Sequence, residues 1–209
     1  MTAIHLKIGM WSIQIIALIS AIIYWKYYKN TSQRYFLYLL IVIVFFEILA
    51  TYIKEGTPYK NFPIYNLLSL FSFLFYFYWF RLVLKEKKWL KPMLVVFIIS
   101  TCYSLFTQDF FYNLWAEMWY VGSVFILFNA FLYYNELLNK TTLLNYKKSA
   151  EFWVATGLLM YHVGFLPLLL FMDYYSSNHY YYRLPILILN IILYSCFIKS
   201  FLCLKPQKI

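Results

Sequence analysis

Six side chains that could do chemistry lie inside long apolar stretches of this chain. They are the ionisable Glu47, Glu117 and His162 and the amides Gln14, Asn66 and Asn190. Ionisable groups are costly in a bilayer, so each one inside an apolar stretch is a candidate for function. Carboxylates and imidazoles take up protons and cations, and amides orient small polar ligands. The six side chains together predict a polar pocket that binds a small molecule or an ion.

The stretches that carry these residues predict membrane spans. The chain has 209 residues, of which 64% are hydrophobic and only 12% charged, a composition that a soluble domain could not cover with polar surface. Crossing a bilayer takes about 20 helical residues. Seven stretches of about that length are expected near Ile8–Tyr28, Tyr35–Ile53, Phe62–Leu84, Trp89–Phe106, Tyr112–Leu138, Phe152–Met172 and Tyr182–Leu204. The sequence therefore predicts one all-α integral membrane domain over residues 1–209, without an appended soluble domain.

The basic residues alternate between the loops and predict an orientation. Fourteen of the 18 lysines and arginines follow spans one, three, five and seven. Lysine and arginine accumulate on the cytoplasmic side, so the N-terminus is predicted outside and the C-terminus in the cytoplasm. The net charge of +10 then fits a solvated face on anionic lipid, and we expect no nucleic-acid partner.

The depth of the six polar residues predicts where a pocket would open. With a helical rise of about 1.5 Å per residue, four of them lie about 5–10 Å from the outer boundary, and Asn190 and His162 lie about 12–15 Å deep. The simplest arrangement is a cavity open to the outside and closed toward the cytoplasm. No lysine or arginine is embedded at this depth, so we expect Glu47 to be neutral at pH 7 or coupled to His162.

Each candidate also has a plainer interpretation. The amides of Gln14, Asn66 and Asn190 also fit hydrogen bonds between helices. Glu117 lies one turn from its predicted boundary and also fits a side chain that reaches the headgroups. A single histidine such as His162 also fits a packed core residue. Glu47 is the hardest to explain in this way, because it is the only polar side chain between Ile41 and Ala50.

Motifs for catalysis and cofactors do not occur in the spans. There is no HExxH, no GxSxG and no aspartate inside a span, which argues against metalloprotease and serine hydrolase chemistry. We therefore expect a non-enzymatic protein without a metal or a cofactor, acting as a sensor or a transporter. The alternative is an oligomeric pore or a regulatory membrane partner, for example in antiviral defence.

Short motifs carry a resemblance that covers most of the chain. They are Phe45-Phe46-Glu47, Ile64-Tyr65-Asn66, Phe152-Trp153 with Gly157 and Tyr161, and Asn190-Ile191-Ile192-Leu193-Tyr194. These motifs resemble those of small seven-transmembrane-helix proteins frequent in Bacteroidota, and the resemblance implies the inner membrane of a bacterial cell. The order of the spans is also similar to the 3+1+3 layout of SWEET-type sugar transporters, whose Pro-Gln signature this chain lacks in its spans.

Overall fold

The computed structural model describes residues 3–58, 60–139, 143–171 and 179–204. Within these ranges the chain forms seven α-helices, a short 3₁₀ helix at Leu143–Lys148 and no β-strand. The helices are α1 Ala3–Tyr28, α2 Arg34–Gly56, α3 Phe62–Val83, α4 Leu90–Thr107, α5 Ala116–Leu138, α6 Ala150–Leu170 and α7 His179–Cys203. All seven are long and apolar enough to span a membrane. The predicted all-α class and the seven apolar helices are thus confirmed, and the orientation of the termini stays a prediction.

The helix ends agree with the predicted spans to within five residues, and the largest shifts are at α1 and α5. Helix α1 begins at Ala3 rather than at the predicted Ile8, and it therefore includes Lys7. Helix α5 begins at Ala116 rather than Tyr112, because Asn66 binds the backbone just before it and holds that segment out of the helix. Four residues used for the predicted span ends and the charge count lie outside the described residues. They are Met172, Lys140, Lys205 and Lys208.

Six of the helices pack as a closed series of neighbours. Helix α1 contacts α2, α2 contacts α3, α3 contacts α5, α5 contacts α6, α6 contacts α7, and α7 returns to α1. Helix α4 packs mainly on α5 and over a smaller area on α3. The most extensive interface joins α6 to α7, so these two helices form the tightest part of the bundle. The SWEET-like layout stays a prediction.

Glycines on α6 allow the close approach of α7. A Cβ atom at Gly157 would lie 2.8 Å from the Cβ of Cys196 and 3.3 Å from the carbonyl oxygen of Leu193. A Cβ atom at Gly164 would lie 2.5 Å from the Leu189 side chain. The two glycines are one heptad apart and lie on the face of α6 that packs against α7.

An aromatic core closes one end of the bundle, which the charge pattern predicts to be the cytoplasmic end. Its members come from α1, α2, α3 and α7 and are fully or almost fully buried: Tyr28, Phe36, Trp79, Phe80, Phe197 and Phe201. The Tyr28 and Phe201 rings stack at 4.8 Å, and Phe36 contacts Phe197 at 5.0 Å between ring centroids. This packing leaves the opposite ends of the same helices to carry the polar side chains.

Candidate functional site

The Glu47 carboxylate lies at the junction of three helices. Its Oε1 accepts a hydrogen bond from Gln14 Nε2 on α1 at 3.4 Å, and its Oε2 accepts one from the Tyr65 hydroxyl on α3 at 3.3 Å. Gln14 is only 5% exposed, and Glu47 and Tyr65 are half-buried. The first bond exceeds the usual range of about 2.7–3.2 Å for an N–H donor, and the second exceeds that of about 2.5–3.0 Å for a hydroxyl donor, so the two neutral donors hold the carboxylate loosely. We call Glu47, Gln14 and Tyr65 the Glu47 cluster.

Charged groups approach the Glu47 cluster from its outer side. The Lys7 ammonium on α1 lies near Glu47 but forms its ion pair with Glu55, with Nζ 2.9 Å from Oε1. Arg183 on α7 lies near the Tyr65 hydroxyl. Across the described ranges the ion pairs are Lys7–Glu55 and one between Lys88 and Glu86. Glu47 therefore has no ion pair in the part of the chain that the structure describes.

Tyrosines extend the Glu47 cluster toward the middle of the bundle. Tyr194 on α7 is only 4% exposed, and it lies near Gln14. It also lies close to Tyr76 on α3 and Tyr161 on α6. Sequence reasoning missed Tyr65 and Tyr194. The chain has 23 tyrosines, and no pattern separates the buried hydroxyls from those at the membrane surface.

Asn66 binds the segment that leads into α5. Its Nδ2 donates to the carbonyl oxygen of Asn113 at 3.0 Å, and its Oδ1 accepts from the backbone N–H of Trp115, also at 3.0 Å. The side chain is fully buried. Both ends of the amide are satisfied by backbone groups, so Asn66 joins α3 to the loop between α4 and α5.

Glu117 forms a second carboxylate cluster, between α4 and α5. Its Oε2 accepts hydrogen bonds from the Ser104 hydroxyl, at 3.2 Å, and from Gln108 Nε2. Ser104 is fully buried, and the Oε1 atom of Gln108 is buried without a hydrogen-bond partner in the described structure. Glu117 therefore draws its partners from α4 and the residue that follows it, whereas Glu47 draws its partners from α1 and α3.

His162 lies in an aromatic environment deep in the bundle. Its Nδ1 is 3.0 Å from the Ser123 hydroxyl on α5, and its ring lies 5.8 Å from Phe73 and 6.5 Å from Tyr76 between centroids. The residue is 2% exposed. Among the described contacts His162 forms no ion pair or hydrogen bond with Glu47. The Glu47 carboxylate instead accepts hydrogen bonds from Gln14 and Tyr65.

Among the described residues, Asn190 bonds within its own helix, with Nδ2 donating to the Ile186 carbonyl oxygen at 2.8 Å. Direct contacts thus join Gln14 to Glu47 and give each of the other four candidates separate partners. The common pocket for all six side chains stays a prediction.

A surface groove between α6 and α7 is apolar. It has a volume of about 270 Å³ and is lined by Gly164, Leu168, Leu184, Pro185, Ile188 and Leu189. None of the six candidate residues lines it. The groove offers no polar group to orient a ligand, so the chemistry of the chain is concentrated in the polar clusters.

The seven apolar helices indicate a multi-pass membrane protein, and the Glu47 cluster joins three of them. Comparison of the chain with protein-family models, curated proteins and solved structures gives no match.

Proposed function

We propose that this chain is a non-enzymatic, multi-pass inner-membrane protein that binds a proton or a small metal cation at Glu47, as a sensor or a transporter. The observation that carries the proposal is the carboxylate itself. It lies within an apolar helix, holds two long hydrogen bonds from neutral donors and has no ion pair in the described chain. A charge placed in this way is stabilised by gaining a proton or a cation.

The Glu47 cluster can supply the oxygen ligands that hard cations prefer. Glu47 offers two carboxylate oxygens, and the Tyr65 hydroxyl oxygen lies next to them. Rotation of the Gln14 amide would turn its carbonyl oxygen toward Glu47. Carboxylate and carbonyl oxygens are typical ligands of hard metal cations. The same rotation would let a protonated Glu47 donate a hydrogen bond to Gln14, so one site accommodates a proton or a metal cation.

The surroundings favour an ion over a larger molecule. The α6–α7 groove is lined only by apolar residues, whereas the Glu47 cluster is small and lies between three helices. The aromatic core around Phe36 and Trp79 is buried at the other end of the bundle. These features support a site reached from the predicted outer side.

Thermal unfolding of the purified protein tests the proposal. A ligand that binds the folded state stabilises it by about 2.7 kcal/mol at one hundred times its dissociation constant. We expect NaCl or KCl, compared with choline chloride at equal ionic strength, to raise the unfolding temperature of the wild type at neutral pH. A proton site would instead give stabilisation when the pH is lowered. Glu47→Gln keeps the shape of the neutral acid but binds neither a proton nor a metal cation. Its unfolding temperature in choline chloride should be close to that of the wild type, and neither added NaCl or KCl nor a lower pH should raise it.

Two further Glu→Gln variants control this experiment. Glu86→Gln changes an exposed carboxylate at the opposite end of the bundle and should respond to ions like the wild type. Glu117→Gln changes the carboxylate of the other cluster. An unchanged ion response in Glu47→Gln, or its loss in Glu117→Gln alone, would contradict the assignment to Glu47.

A further inference from the structure

Two arginines and a pair of tyrosines meet where α2 begins and α3 ends. Arg34 Nη2 donates to the Tyr35 hydroxyl oxygen at 2.5 Å, and the Arg34 guanidinium lies 4.6 Å from the centre of the Tyr35 ring. The Tyr35 ring meets the Tyr78 ring edge-on, with 5.3 Å between the ring centroids. Arg81, one turn after Tyr78 on α3, also lies near the Tyr78 hydroxyl. We call Arg34, Arg81, Tyr35 and Tyr78 the arginine–tyrosine cluster.

The positive charge of the cluster is not neutralised within the described ranges. The ion pairs found there involve Lys7 and Lys88, and neither guanidinium takes part in one. Both arginines are exposed. They are also two of only three arginines in a chain whose other basic residues are lysines. Arginine presents a planar fork of donors that fits phosphate oxygens, whereas lysine offers a single point charge.

Exposed apolar side chains continue from the cluster along both helices. They recur at helical spacing and point outward: Tyr38, Ile41 and Phe45 on α2, and Leu74 and Phe71 on α3. The stripe runs from the arginines toward the middle of the two helices. A molecule that matches both features has an anionic phosphate at one end and hydrocarbon chains at the other.

We infer that the arginine–tyrosine cluster binds the phosphate headgroup of an anionic phospholipid, with the acyl chains lying along the exposed face of α2 and α3. The two guanidiniums contact the phosphate oxygens, and the Tyr35 and Tyr78 hydroxyls hold the guanidiniums in place and donate to the headgroup. The site is separate from the Glu47 cluster and does not depend on ion binding there.

Lipid binding to the detergent-solubilised protein, followed by native mass spectrometry, tests this inference. Phosphatidylglycerol and phosphatidylcholine with identical acyl chains serve as probes. We expect phosphatidylglycerol to bind more tightly to the wild type. Arg34→Gln with Arg81→Gln should weaken its binding by roughly 30-fold through the loss of two charged contacts near a lipid phosphate.

Two double variants separate a defined site from general attraction to positive charge. Arg34→Lys with Arg81→Lys keeps the charge but removes the planar forks, and we expect it to weaken binding by roughly tenfold. Lys87→Gln with Lys88→Gln removes two exposed charges from the nearby loop and should weaken binding by less than about threefold. The inference is overturned if Arg34→Lys with Arg81→Lys binds phosphatidylglycerol as tightly as the wild type does. It is also overturned if the loop variant loses as much affinity as Arg34→Gln with Arg81→Gln.

Two more measurements keep the test decisive. Tyr78→Phe removes one hydroxyl but keeps the ring packing, so it reports on the cluster if the arginine variants fold poorly, and it should also weaken phosphatidylglycerol binding. Soluble glycerol phosphate competes for the headgroup site without acyl chains. Displacement of the lipid by glycerol phosphate at a comparable concentration would show a site for free phosphate and refute lipid binding.

Discussion

Replacing Asn66 with alanine should destabilise the protein, because this side chain satisfies two backbone groups. The hydrogen bond from the Trp115 N–H is buried, and leaving such a donor without a partner costs about 1–3 kcal/mol. The Asn113 carbonyl belongs to an exposed residue and can turn to water, so its loss adds at most about 1 kcal/mol. We therefore expect Asn66→Ala to lower the free energy of unfolding by about 1–4 kcal/mol.

Asn190→Ala is the matched control for this prediction. Asn190 is also predicted to lie in the outer half of the membrane, but it is half-buried, and its amide donates to a carbonyl of its own helix. Polar side-chain bonds of this kind in membrane proteins contribute about 0.6 kcal/mol on average, so the loss should stay below about 1 kcal/mol. Unfolding in mixed detergent and SDS micelles, followed by tryptophan fluorescence, measures both variants. Equal losses in the two would refute the assignment of Asn66 to the α4–α5 loop.

Two further predictions concern helix packing and a loop. Gly157→Ala should destabilise by about 1–3 kcal/mol, because its new methyl group would lie 2.8 Å from a Cβ atom of α7. Gly56→Ala, whose methyl group would meet nothing closer than 3.9 Å, should be neutral or slightly stabilising in the same unfolding assay. Glu136 accepts three hydrogen bonds from the backbone N–H groups of Lys85 and Glu86 at 2.9–3.1 Å. Glu136→Ala should speed amide exchange at those two residues by roughly tenfold, and unchanged exchange there would contradict that contact.

The helices could be predicted because the bilayer imposes a length and a composition on each span. Hydropathy alone located α2, including the apolar run that surrounds Glu47. The start of α5 was missed for a tertiary reason, since Asn66 from another helix determines where the loop ends. A local pattern in the sequence contains no information about such a contact.

The candidate site was harder to predict than the fold. Counting helical rise placed Gln14 and Glu47 at similar depth, and the structure places them in contact. Depth does not specify which way a side chain points around its helix, so it could not assign Glu117 to Ser104 on α4. Tyr65, the other partner of Glu47, is one of 23 tyrosines, and only the packing of α3 against α2 distinguishes it.

Infrared difference spectroscopy on the reconstituted protein tests the assignment of ion binding to Glu47 most directly. Perfusion that replaces choline with Na⁺ or K⁺, or that lowers the pH, should change the carboxyl bands of the residue that binds the ion. We expect this change in the wild type and in Glu86→Gln, and we expect Glu47→Gln to lose it. The same carboxyl bands in Glu47→Gln as in the wild type would show that the ion binds elsewhere and would contradict the proposed function.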